Sequence, residues 1–486
     1  MPFNASLFLF GFLPAVLLLY LGLSWVTRAI DPTGTRLGQK PRNTLLFAVS
    51  LFFYAFGEGE LVLLMLGSIL SNWALGLWLG SAVKAGGGRL PLALGIALNL
   101  GLLGWFKYAN FFLGSWVAGW EAVLLPIGIS FYTFQAISYL VDVKRGEAEV
   151  QRNPIDFGLY ISLFPQLIAG PIVRYHDLAQ QLTSRHLDLQ LFSSGARRFM
   201  IGLAKKVLIA DTAARTADAI FGTSPGAGIP PGELSVALAW AATAAYSVQI
   251  YFDFSGYSDM AIGLGRMLGF RLLENFRWPY VSRSITEYWR RWHISLSTWF
   301  RDYLYIPLGG NRGGAVRTYV NLVAIFLLCG LWHGAEWTFV VWGGYQGLFL
   351  VTERLGLLKL IERAWRPLGH LYMHLVLLFG WVIFRSFDLN QAGQYFRAMF
   401  GGGTPVSAEY LEGRNLDGMF WLVMGVGAVA SLPVLPWLGR WRDGLESNAA
   451  RQAVDLVGTV LLVALFGYSL ATAAAQTQSP FIYFRF

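Results

Sequence analysis

Long apolar runs separated by short polar stretches dominate this chain, and strict alternation of polar and apolar residues is nowhere sustained. Runs of this length cross a bilayer as helices, and the lack of alternation argues against a membrane β-barrel. The runs fall at approximately 7–26, 43–57, 61–82, 91–116, 122–141, 156–173, 197–221, 233–252, 318–352, 369–387, 416–437 and 454–474, the 318–352 run being long enough for two passes or one broken helix. They predict an all-α polytopic membrane protein with about eleven to thirteen spans, some of them short or re-entrant. No soluble domain fits between the runs, so residues 1–486 read as a single integral membrane domain, with 453–486 a terminal span followed by an extracytoplasmic aromatic tail.

Composition agrees: of 486 residues 55% are hydrophobic and only 13% charged, and the mean hydropathy is +0.49. So little charge cannot cover a soluble globule. The net charge of +9 is spread over short loops, without the arginine and aromatic array of a nucleic-acid surface, so it reports topology instead. No Lys or Arg precedes the first run, whereas Arg28, Arg36, Lys40 and Arg42 follow it. That order predicts an uncleaved span with the N-terminus outside and the next loop in the cytoplasm. The single cysteine, Cys329, excludes an internal disulfide and a Cys-based metal cluster; beside His333 it reads either as a thiol nucleophile or, more commonly, as a small hydrophobe.

The interval Arg271 to Arg317 carries eight arginines against Glu274, Glu287 and Asp302, which assigns it to the cytoplasmic side. In its core, Thr286 to Arg312, the aromatics Trp289, Trp292, Trp299 and Phe300 recur at helical spacing among arginines. This predicts an amphipathic or re-entrant helix at the inner membrane surface, either a plain interfacial anchor or a cationic mouth for a phosphorylated cofactor such as coenzyme A. Arg290, Arg291 and Arg301 are the candidate donor-binding residues, and Asp302 a candidate supporting one.

Between Thr318 and Thr352 the one formally charged side chain is Glu336, and His333 lies in the middle. An ionisable group at membrane depth faces a protein interior or a water-filled path and is a functional candidate by default. Imidazole, with an ordinary pKa of about 6.5, can take up and release a proton near neutrality. If the segment is helical, Glu336 and Trp337 lie one turn along on the same face, where Glu336 could orient the ring. Trp332, next to His333, is a further supporting candidate. The other reading of His333 is a core histidine bonded to a backbone carbonyl. His176, His186, His370 and His374 fall at loop or span edges without metal-ligand spacing, and the glycines at 309–314 and 401–403 read as turns rather than a phosphate loop.

Arg440, Arg442 and Arg451 mark the last loop between spans as cytoplasmic, so the final span exits outward and the segment Ser479 to Phe486 lies on the extracytoplasmic face. Tyr483 there is flanked by Phe481, Phe484 and Phe486, which by itself reads as an aromatic belt.

Five stretches, PIGISFYTFQAISYLVDVKRG (Pro126 to Gly146), LFPQLIAGPIVRY (Leu163 to Tyr175), QIYFDFSGYSDMAIGLGRMLGF (Gln249 to Phe270), WRRWHISLSTWFRDYLYIPLGGNR (Trp289 to Arg312) and LWHGAEWTFVVWGGYQG (Leu331 to Gly347), resemble the bacterial membrane-bound O-acyltransferases, in particular the type that acetylates alginate and other envelope polymers. The resemblance implies a helical bundle around a central tunnel, with His333 matching the family's catalytic histidine and His293 its second, cytoplasmic-side position. It further implies that Tyr483, in FIYFRF, carries the acyl group covalently, as a similar tail does in a related D-alanylation system. The implied donor is acetyl-CoA with no permanently bound cofactor and no metal. The implied partner is a periplasmic SGNH-type serine hydrolase-like protein that places the acetyl group on an exopolysaccharide such as alginate. Besides surrounding lipid, the polysaccharide is met only indirectly, and no nucleic acid is involved. D-alanyl or other acyl transfer to a cell-envelope polymer (cellulose, peptidoglycan or teichoic acid) is the nearest alternative. From another class, a proton-coupled transporter would show inverted repeats, and no internal repeat is present.

Overall fold

The computed structural model describes residues 2–30, 36–114, 117, 120–230, 233–402, 416–475 and 481–482. Among these residues the regular structure is helical and no strand occurs. Six helices among the described residues are long and apolar enough to cross a membrane, and a seventh span results if the bent pair Gly418–Ala430 and Val434–Asp443 is counted as one. The other apolar runs are built differently. Leu163, which leaves the helical region at ψ 108°, breaks 156–173 into the short buried helices Pro154–Ser162 and Phe164–Leu167, the second opening with Pro165 in its first turn. Run 122–141 becomes helical only at Ile129, after Pro126 and a left-handed Gly128. The 233–252 run extends into a 32-residue helix, Val236–Met267, that buries polar side chains along with apolar ones.

The chain divides into two compact units. The first comprises Met1–Phe199 and Tyr257–Glu274. Its core helix, Ile129–Arg145, is buried along nearly its whole length. Leu61–Lys84 and Arg89–Leu103 are joined by Asn99 Nδ2 donating to Asn72 Oδ1 at 2.6 Å, a satisfied polar pair within apolar surroundings. Here Asp142, Glu147 and His176 come within 4.8 Å of one another. The ring nitrogens of His176 lie 2.8 Å from Asp142 and 3.3 Å from Asp177, and these carboxylates push its pKa up to about 9.

The second unit comprises Met200–Gly256 and Asn275–Phe486. Its central feature is the hairpin of Gly314–His333 and Trp337–Thr352, so the 318–352 run, long enough for two passes or one broken helix, forms two helices packed back on each other. Small residues set the approach of the two helices. A Cβ on Gly330 would lie 2.2 Å from the carbonyl oxygen of Phe339, and one on Gly343 would lie 2.2 Å from that of Phe326. We expect Gly330→Ala to force the hairpin apart and destabilise the protein by about 1–3 kcal/mol, measured as a lower midpoint of thermal unfolding in detergent. An unchanged midpoint would show that the hairpin tolerates the extra methyl group.

Candidate functional site

Every residue of the site belongs to the second unit. His333 is the last residue of its helix, because Gly334 adopts an extended conformation that ends the helical hydrogen bonding. Its imidazole is 5% exposed. Around it stand the rings of Trp332, Trp342 and Phe384, with centroids at 5.0, 5.2 and 5.4 Å. Trp381 extends this cluster, stacked on Trp342 and edge-on to Phe384. An aromatic enclosure of this kind excludes bulk water and strengthens electrostatic interactions inside it.

The interval expected to form an amphipathic or re-entrant helix is broken. Ile285–Trp289 and Ile294–Phe300 are separate helices, and His293 between them is left-handed at φ 44°. Trp289, Trp292, Trp299 and Phe300 are buried within the protein rather than laid along a membrane surface. A non-glycine residue in this conformation costs roughly 1–2 kcal/mol and persists where its surroundings hold it. Asn275 does so: its backbone carbonyl accepts from Ile294 N–H at 3.0 Å, and its Oδ1 accepts from Ser295 N–H at 3.2 Å, Ser295 Oγ at 2.9 Å and His293 Nδ1 at 3.2 Å. With Nδ1 donating, Nε2 is the acceptor nitrogen of a neutral His293 ring.

His293 is 0% exposed, and Phe254 meets it edge-on at 4.6 Å. The His293 side chain makes no capping hydrogen bond to the helix that follows. The Trp332 indole, 6.0 Å from His293 and 5.0 Å from His333, joins the two histidines into one cluster. They are forty residues apart in the chain, and the fold brings them together.

The remaining expected residues divide. Arg290 and Arg291, with Arg283, Glu287, Leu358 and Glu362, line a cavity of about 400 Å³. Three arginines against two glutamates leave its wall cationic, and Arg291 is paired with Glu287 at 2.9 Å. Arg301 is not among its lining residues; its side chain is 60% exposed and paired with Asp302 at 2.7 Å. Glu336 does not share a helical face with His333. The helix ends between them, and Glu336 is extended and exposed at the start of the next helix. Cys329 is buried one turn before His333. Tyr483 lies outside the described residues, but Phe481 and Ile482 are buried. The Phe481 ring packs 6.3 Å from Phe254, the same ring that meets His293.

Asn275 and a buried charge cluster of Lys206, Asp211 and Asp253 went unread in the sequence. Lys206, Asp211 and Asp253 did carry a signal, since each interrupts an otherwise apolar stretch, where a buried ionisable group calls for explanation.

Residues 98–366 match the membrane-bound O-acyltransferase family, and both His293 and His333 lie within the matched stretch. Over 100% of both chains the protein is 42% identical to the probable alginate O-acetylase AlgI of Pseudomonas putida. It is 34% identical to the peptidoglycan O-acetyltransferase of Helicobacter pylori, over 100% of this chain and 97% of that one. To the teichoic acid D-alanyltransferase of Streptococcus thermophilus it is 26% identical, over 56% of this chain and 71% of the other. With a helical, multi-pass architecture and paired buried histidines already in place, these likenesses establish that the chain belongs to the membrane-bound O-acyltransferase family and is an enzyme of that kind.

Proposed function

We propose that this enzyme takes an acetyl group from a cytoplasmic thioester, acetyl-CoA, and loads it onto Tyr483. An extracytoplasmic serine hydrolase-like partner then passes the group to a hydroxyl of an envelope polysaccharide such as alginate. The observation that carries the reading is the seating of Phe481 and Ile482 in the second unit, where Phe481 packs on the ring that contacts His293. In this reading the protein sits in the inner membrane with both termini outside.

His333 is the general base. It takes the phenolic proton of Tyr483 as the oxygen attacks the thioester carbonyl, the C–S bond breaks and the C–O bond of an aryl ester forms. The proton then passes to the departing thiolate, so the step is balanced without a metal or redox partner. A phenol of pKa about 10 is close to a thiol of about 8.5, so the aryl ester keeps much of the thioester's activation for the second transfer. His293 and Trp332 support the base, His293 through the rigid turn held by Asn275. The cationic cavity at Arg283, Arg290 and Arg291 suits the phosphates of coenzyme A.

Acetyl rather than D-alanyl is favoured because the two full-length relatives above are named for acetyl transfer, whereas the D-alanyltransferase matches 56% of this chain. The test is direct. Purified protein incubated with acetyl-CoA carrying labelled acetyl should yield a C-terminal peptide with a base-labile acetyl ester on Tyr483, read by mass spectrometry. Product formation with no acylated tail at any time would remove the carrier from the mechanism.

A further inference from the structure

Lys206 Nζ lies 2.7 Å from Asp211 Oδ1 and 2.7 Å from Asp253 Oδ1, and all three side chains are more than nine-tenths buried. Two carboxylates share this one ammonium, and Arg215 also acts on Asp211, so Asp253 is a buried charge with an oxygen still to satisfy where little water reaches. Such a charge persists where further donors reach it. The donor found here comes from 229 residues away: the backbone N–H of Ile482 reaches Asp253 Oδ2 at 2.8 Å. The two oxygens of Asp253 thus divide their work, Oδ1 held by Lys206 and Oδ2 turned to the tail. Phe254, the next residue, packs against Phe481 on one hand and His293 on the other. One short segment of the Val236–Met267 helix therefore touches both the tail and the histidine cluster.

We infer that Lys206, Asp211 and Asp253 form a latch that seats the C-terminal tail and fixes the register in which Tyr483 is offered to His333. Asp253 is a positioning residue that acts through the Ile482 N–H, and Lys206, itself anchored by Asp211, orients its carboxylate. The purpose of the latch rests on the carrier reading above; its existence does not. A backbone donor makes the latch indifferent to the side chain at 482 but intolerant of proline, which has no N–H and also restricts the residue before it. A charge-assisted bond of this kind is stronger than a neutral one, and its loss shifts a docking equilibrium by about ten-fold or more.

The test reads docking apart from transfer. Full-length protein in detergent is exposed to a carboxypeptidase, and release of residues 486–483 is timed. Cleavage follows the population of undocked tail when docking is fast. Wild type and Ile482→Val should be trimmed slowly. Ile482→Pro, which leaves the latch side chains intact, and Asp253→Asn should each be trimmed about ten-fold faster or more. The double variant should be no faster than Ile482→Pro alone, because Asp253→Asn weakens the one bond that the proline already removes. Wild-type trimming rates in Ile482→Pro and Asp253→Asn, or fully additive effects in the double variant, would overturn the latch. A tail that docks as described but never acquires acetyl would leave the latch standing and count against the carrier alone.

Discussion

Replacing His333 by Ala should lower the rate of acyl transfer by about 10²–10⁴-fold, the range associated with loss of a positioned general base. Binding of the donor should change little, because the cationic cavity at Arg283, Arg290 and Arg291 is lined by residues other than His333. The cost is therefore expected in kcat rather than in KM for acetyl-CoA. A buried imidazole replaced by a methyl group leaves a void among Trp332, Trp342 and Phe384, so His333→Gln is the better-filled companion variant. Both should lose acylated tail and polymer product together. If single-turnover tail acylation in either variant runs within about ten-fold of wild type, the imidazole is not the base.

Tyr483→Phe should reduce polymer acetylation to background, a loss of at least about 10²-fold, while the protein still inserts and folds. The change removes one hydroxyl and keeps the ring. Its effect therefore separates two roles that the sequence by itself leaves open: an aromatic side chain at a membrane face needs only the ring, whereas an acyl carrier needs the oxygen. Normal thermal stability with no product is the expected pair of results. Retained product in Tyr483→Phe would return the terminal aromatics to the interfacial role, and acetyl would then have to reach its acceptor without this residue.

The two variants also differ in what they leave behind. His333→Ala should still dock its tail, because the seat at Asp253 and Phe254 is made by other side chains. Tyr483→Phe should still protect its tail from digestion for the same reason. Loss of activity with tail protection intact would place both defects at the chemical step rather than at docking.

His333 was legible because a lone imidazole in an apolar run is costly and therefore conspicuous. The cationic wall at Arg290 and Arg291 was legible from charge, and so was the break within 318–352, from a run too long for one span. Glu336 was misread because a helical face was extended across a backbone that stops being helical at Gly334. The interval 286–312 was misread similarly: its aromatics repeat with helical spacing, yet His293 turns left-handed and the buried rings pack from two separate short helices. Periodicity reports which residues become buried, and it does not reveal a single residue that leaves the helical region. Several apolar runs likewise resolved into short helices, because burial in protein and burial in lipid demand the same composition.

The sequence by itself determined that this is a helical membrane protein with a titratable group in an apolar run and a basic, aromatic segment between runs, since each follows from the cost of placing charge or unpaired backbone in hydrocarbon. Only the tertiary structure decided that His293 and His333 share the Trp332 indole, that Asn275 holds the turn between them, and that Asp253 receives the backbone of a residue 229 positions away. Those relations depend on side chains converging from remote segments, and composition and local spacing carry no information about which remote segments meet.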